Sequence, residues 1–194
     1  MRIGITGGIG SGKTNICMRL KAMGFPVYNC DESAKRLMHD DPALRRQLCE
    51  LIGSDAYTDE GELNKPVIAS YLFQSDDHAA AVNAIVHPAV KADFLRWAEQ
   101  QTAPHCFMES AILFESGFQQ IVDKTVVVYA DEQTRIRRTT LRDDTTAHQV
   151  QARMALQMPA DHARRLADYT LYNHADSSTE DEIEKLMRWL NKIK

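Results

Sequence analysis

Cysteine is sparse and unpatterned in this chain. Its four copies, Cys17, Cys30, Cys49 and Cys106, form no C-x-x-C pair and have no histidine at ligand spacing, which argues against both a disulfide framework and a zinc site. An excess of one charge is also missing. With 23 Lys and Arg against 27 Asp and Glu, a formal net charge of −4 gives no global electrostatic case for nucleic acid or an anionic membrane as partner. No apolar stretch approaches the length that crosses a bilayer. The first motif starts so near Met1 that no room is left for a cleavable signal, and a cytoplasmic protein is expected. There is no internal repeat and no low-complexity segment, so 194 residues should form one sizeable core with an elaboration.

What the chain does have is concentrated at its start. Gly7-Gly8-Ile9-Gly10-Ser11-Gly12-Lys13-Thr14 reads G-x-x-x-x-G-K-T, a phosphate-binding loop, placed after a short apolar run and before a helical pattern as that motif requires. Glycines let backbone N–H groups turn inward around a polyphosphate, and the following helix points its positive end at the same anions. Lys13 is expected to reach the outer phosphates and the Thr14 hydroxyl to ligate magnesium. The dinucleotide fingerprint G-x-G-x-x-G is not completed at either Gly8 or Gly10.

From this loop the chain follows a strand–helix rhythm, then departs from it. Ile3–Thr6 predicts a strand, Lys13 to about Met23 a helix, and Phe25–Asn29 a second strand parallel to the first. Ligands collect at the carboxyl ends of such strands, which places Asn29-Cys30-Asp31 at the working edge. Asp31 has two compatible roles there: accepting the proton of an attacking hydroxyl, or capping a helix over 32–39. From Asp41 to about Thr102 the apolar spacing is helical throughout, through Leu44, Leu48, Ile68, Leu72, Val82, Val86 and Phe94. Sixty residues without strand alternation predict a helical insertion that binds a second substrate. Within it, Pro88 is expected to end or kink a helix at His87; a lone histidine is more often structural than a ligand.

The rhythm resumes with strands at 105–109, 124–129 and 169–172. Asp131 follows the second of these and is read as a helix cap rather than as an acidic strand end. On that helix Arg135, Arg138 and Arg142 share one face, either as a phosphate clamp or as an ordinary basic surface. With a second helix over 147–158 they suggest a hinged lid. Asn173, at the last strand's carboxyl edge, is placed either to read an adenine edge or to make a turn. An amphipathic helix over 178–193 closes the chain.

These elements together resemble the dephospho-coenzyme A kinases. The resemblance rests on Thr6 to Lys13, Asp31 with Ala34-Lys35, His87-Pro88, Leu113-Phe114-Glu115, Arg138 with Arg142-Asp143, Arg153 with Gln157, and Ala167-Asp168 leading to Asn173. It implies an α/β fold: a P-loop kinase-type parallel five-stranded sheet flanked by helices, with a helical substrate-binding insertion and a helical lid. The core would span 1–39 and 104–194, the insertion 40–103 and the lid 132–158.

The implied activity is phosphorylation of the ribose 3′-hydroxyl of dephospho-CoA by ATP with Mg²⁺, in a monomer or weak homo-oligomer. Lys13, Asp31 and Arg138 fall on catalytic positions. Gly8, Ile9, Gly10, Ser11, Gly12, Lys13, Thr14, Asn15, Arg142 and Asn173 fall on ATP-binding ones, Lys35, His87 and Glu115 on the acceptor side, and Thr14 with Asp31 on the metal. Three positions depart from the family's pattern. Asn29 replaces a common aspartate, which throws magnesium or hydroxyl duties onto Asp31. Ala111 replaces a proline, and His174 an asparagine. Two alternatives stand beside this reading. A nucleoside monophosphate kinase or another small-molecule P-loop kinase would use a different acceptor. A GTP-binding switch would need N-K-x-D, and Asn64-Lys65-Pro66 is followed by Val67.

Overall fold

A computed structural model describes residues 1–193. Five strands form one sheet: β1 (Arg2–Thr6), β2 (Val27–Asn29), β3 (Cys106–Glu109), β4 (Lys124–Tyr129) and β5 (Tyr169–Tyr172), in the order β2-β3-β1-β4-β5. All are parallel, β1 pairing with β3 on one side and β4 on the other. β3 is buried along its length and β4 is a β-branched run buried at its four central residues, as strands covered on both faces must be. The helices joined to this sheet are α1 (Lys13–Ala22), α6 (Glu132–Asp143), α7 (Ala147–Ala155), α8 (Ala160–Leu166) and α9 (Thr179–Lys192). Ile16 and Leu20 of α1 and Ile183, Leu186 and Leu190 of α9 pack with Ile3, Ile5, Phe107, Val126, Val128 and Leu171 in one apolar core. β1 lies at the centre of the sheet, so the loop that leaves it is flanked by the carboxyl ends of β3 and β4.

The chain forms two compact units. Met1–Tyr28 and the chain from Gln101 onward make the first, and Asn29–Gln100 the second. The second is helical: α2 (Cys30–Asp40), α3 (Pro42–Ile52), α4 (Lys65–Leu72) and α5 (Asp76–Glu99). Its inner faces are Leu37, Leu44, Leu48, Ile68, Val82, Val86, Val90 and Phe94, the i, i+3/i+4 spacing that the sequence showed. α2 packs within this unit, held by the Arg36–Asp93 ion pair and by Tyr57 Oη donating to the Met38 carbonyl at 2.6 Å.

Three local expectations change. α5 runs unbroken through Pro88: a proline removes one backbone donor, and 24 residues with a buried apolar face outweigh that loss. α2 begins at Cys30, and its cap is Asn29, whose Oδ1 accepts from the N–H groups of Asp31 and Glu32 at 3.0 and 3.1 Å. Asp31 is then the second residue of the helix, with an exposed carboxylate that caps nothing. Finally, the helix predicted over 147–158 stops at Ala155, and the separate α8 follows Pro159.

Candidate active site

The phosphate loop joins β1 to α1. Gly10 and Gly12 have φ of 76° and 91°, left-handed values that glycine alone adopts without strain. Gly12 is also the N-cap of α1 and brings no side chain to it. The first N–H groups of the helix are therefore left to a ligand, which suits an anion.

Beneath the loop, Lys13 Nζ and Thr14 Oγ1 both donate to the same oxygen, Oε1 of Glu109, each at 2.9 Å. Glu109 is 5% exposed and ends β3, in register with Ile5 of β1. Sequence reading passed over this carboxylate. The available signal was an acid closing the apolar run Cys106-Phe107-Met108, but it acquires meaning only once β3 is known to lie beside β1.

The other side of the loop is held by residues far along the chain. Arg135 Nε donates to the Ile9 carbonyl at 2.9 Å, and Gln157 Oε1 accepts from the Ile9 N–H at 2.9 Å. Both peptide groups of Ile9 are thus engaged by α6 and by the segment after α7. Arg138 spreads its guanidinium over three carbonyls: Ser11 at 3.4 Å, Asn173 at 2.8 Å and His174 at 3.3 Å. Asn173, 3% exposed, donates from Nδ2 to the Ser11 carbonyl at 2.8 Å and accepts from Thr179 Oγ1 at 3.3 Å. Its amide supports the loop from inside. Asp131 caps α6 through Thr134, accepting from its N–H and its hydroxyl at 2.8 Å each. These bonds, with His174 Nδ1 at 3.1 Å, hold the Asp131 carboxyl well below its ordinary range.

The arginine face of α6 divides accordingly. Arg135 and Arg138 turn onto loop carbonyls, whereas Arg142 is exposed and shares Asp143 with Arg153, at 2.7 and 2.8 Å. A narrow cleft opens beside the loop, lined by Gly7, Gly8, Ser11, Phe114, Glu115, Arg135 and Gln157. Glu115 is exposed at its rim and accepts from the Met158 N–H at 3.4 Å. Asn15 is exposed on α1.

The remaining predicted residues belong to the helical unit. Lys35 is exposed on α2. His87 is half-buried midway along α5; burial first, and the Lys91 charge one turn on, push its pKa below the ordinary histidine value.

A glycine-rich loop leaving the central strand of a parallel sheet, with lysine and threonine converging on the acid of the neighbouring strand, is the architecture of the P-loop kinases. Comparison with known proteins narrows that class. The dephospho-CoA kinase family model matches residues 1–179, and this chain belongs to that family. A dephospho-CoA kinase from Bacteroides fragilis is 40% identical over 191 residues, covering 98% of this chain and 93% of the relative. The solved structure of TT1252 from Thermus thermophilus superposes with a TM-score of 0.81 at 31% identity, covering 100% of this chain and 98% of that one. Dephospho-CoA kinase from Campylobacter jejuni shares the fold at a TM-score of 0.67 and 18% identity, over 99% and 96% of the two chains.

Proposed function

We infer that this chain transfers the γ-phosphoryl group of ATP to the ribose 3′-hydroxyl of dephospho-CoA, the last step of coenzyme A synthesis. The convergence of Lys13 and Thr14 on Glu109 carries the donor half of the reading. The acceptor half follows from the family. In the transfer, the bond from phosphorus to the 3′-oxygen forms as the bond to the β-phosphate oxygen breaks. The electron pair leaves with ADP and the hydroxyl proton passes to a carboxylate. Little covalent chemistry is asked of the protein, so positioning and charge neutralisation lower the barrier.

Gly8 to Thr14 cradle the triphosphate, and Lys13 moves from Glu109 toward the transferring oxygens. Asp31, relieved of capping by Asn29, accepts the hydroxyl proton. Arg138 holds the loop from its Ser11 side, Arg142 closes from the outer turn of α6, and Lys35, His87 and Glu115 bind the acceptor. A hydroxyl and a carboxylate form a hard-oxygen donor set that fits Mg²⁺, which takes one or two protein ligands and fills its remaining positions with phosphate and water. Among the described residues there is no cluster of three or more His, Cys, Asp or Glu that could hold a metal. Thr14 and Glu109 would hold it, with Asp31 as the further ligand, and its charge would offset that of the β- and γ-phosphates.

The test is ADP release measured with ATP and Mg²⁺ alone, with dephospho-CoA, and with a panel of nucleosides and nucleoside monophosphates. Release that requires dephospho-CoA supports the reading. Release that follows a monophosphate instead would move the chain to the other small-molecule kinases.

A further inference from the structure

Arg135 is 6% exposed, and its one hydrogen bond, from Nε to the Ile9 carbonyl, uses one of its five donors. No described carboxylate lies in ion-pair range of it. The charges facing it are Glu132, exposed one turn back on α6, and the Tyr129 hydroxyl, together with Glu115 and Asp161 in the clefts it borders. Burial pulls its pKa down, and Glu132 and Tyr129 only partly oppose this. A guanidinium largely buried without a counter-ion, its Nη ends reaching only the clefts it lines, is unfavourable by itself. Such a charge persists where a ligand supplies the opposite one.

The geometry says where that ligand lies. A Cβ added to Gly8 would stand 2.5 Å from Arg135 Nη2, so the free end of the guanidinium rests against the apex of the phosphate loop. Arg135 also lines the cleft that Gly7, Gly8, Ser11 and Glu115 share. We propose that Arg135 is a catalytic residue whose Nη donors bind the phosphoryl group in transfer, as an arginine finger supplied by the chain itself. It remains charged throughout, and neutralises the equatorial oxygens while the proton goes to Asp31 and the electron pair to ADP. Arg138 serves differently, because three of its five donors, both Nη1 hydrogens among them, are already taken by carbonyls. This assignment rests on the kinase reading above.

The experiment compares Arg135→Met and Arg135→Lys with wild type in three measurements: binding of ADP, binding of an ATP analogue with an imido β–γ bridge, and turnover. Arg135→Met should lower kcat about 10³-fold, the lower range for an arginine finger. It should bind the analogue at least about tenfold more weakly while keeping ADP affinity within about twofold, the expected pattern when the lost contact is to the terminal phosphate. Arg135→Lys, charged but without the planar fork, should fall between. Equal losses for ADP and the analogue would reduce Arg135 to a prop for the loop and overturn the proposal, as would unchanged kcat in Arg135→Met. If Arg135→Met does not fold, Arg135→Lys decides by the same comparison. Failure of the kinase reading looks different, since wild type itself would then not turn over dephospho-CoA.

Discussion

Lys13 Nζ lies 2.9 Å from Glu109 Oε1, with side chains 12% and 5% exposed, and the Thr14 hydroxyl shares that oxygen. The ion pair keeps the loop lysine satisfied and fixes its ammonium group beside the end of β3. An amide cannot carry that charge, so Glu109→Gln should raise the Mg²⁺ concentration for half-maximal turnover about 10–100-fold, the scale of losing a metal-positioning carboxylate. Titrating Mg²⁺ at saturating ATP checks this.

Asp31 stands on the second position of α2 with no capping duty. Asp31→Asn keeps the shape of the side chain and removes its basicity. Turnover should fall about 10²–10⁴-fold, the usual contribution of a proton-transfer group, while ADP affinity stays near that of wild type. Calorimetric ADP binding beside steady-state kinetics separates the two effects.

Glycine is required at Gly10 for two reasons. Its φ is 76°, and a Cβ there would sit 2.3 Å from the backbone oxygen of Arg135. Gly24 has a comparable φ of 87° with nothing within 4 Å. Gly24→Ala should therefore cost only the left-handed strain, about 1 kcal/mol. Gly10→Ala should cost clearly more and weaken nucleotide binding as α6 is pushed from the loop. Paired chemical denaturation and nucleotide-binding curves report both.

Asp168 ties the start of β4 to the start of β5. Its Oδ2 accepts from the Thr125 N–H and hydroxyl at 2.8 Å each, and Lys124 approaches Oδ1 at 3.4 Å. Burial raises its pKa, but these donors outweigh burial and the net direction is downward. The unfolded chain thus binds a proton at higher pH than the folded one. The stability from Asp168 is present above the ordinary aspartate value of about 3.9 and is lost as pH falls through the lower folded value. Asp168→Ala should cost about 2 kcal/mol at neutral pH. The gap between variant and wild type should narrow in denaturant melts taken below about pH 4.

Local chemistry made much of this protein legible from the sequence. The phosphate loop declares itself by glycines at fixed spacing, because the backbone they permit is a local property. Apolar periodicity marked α3, α4 and α5, the β-branched run marked β4, and Asp131 was recognisable as a cap because its partner is three residues away. Asn29 carried the same local signal and was overlooked in favour of Asp31. Pro88 is the opposite case, where packing along α5 overrode a local breaker.

The rest depended on contacts between residues about 100 or more apart. Glu109 gained its place only when β3 paired beside β1, bringing it to Lys13 across 96 positions. Arg135 reaches Ile9 across 126, Gln157 reaches it across 148, and Asn173 reaches Ser11 across 162. Sequence by itself pointed to a phosphate-binding loop, and the motifs taken in order along the whole chain pointed to the family to which it belongs. Tertiary structure decided which side chains hold the loop, because strand order and helix docking are set by burial of the whole core, which no local spacing encodes.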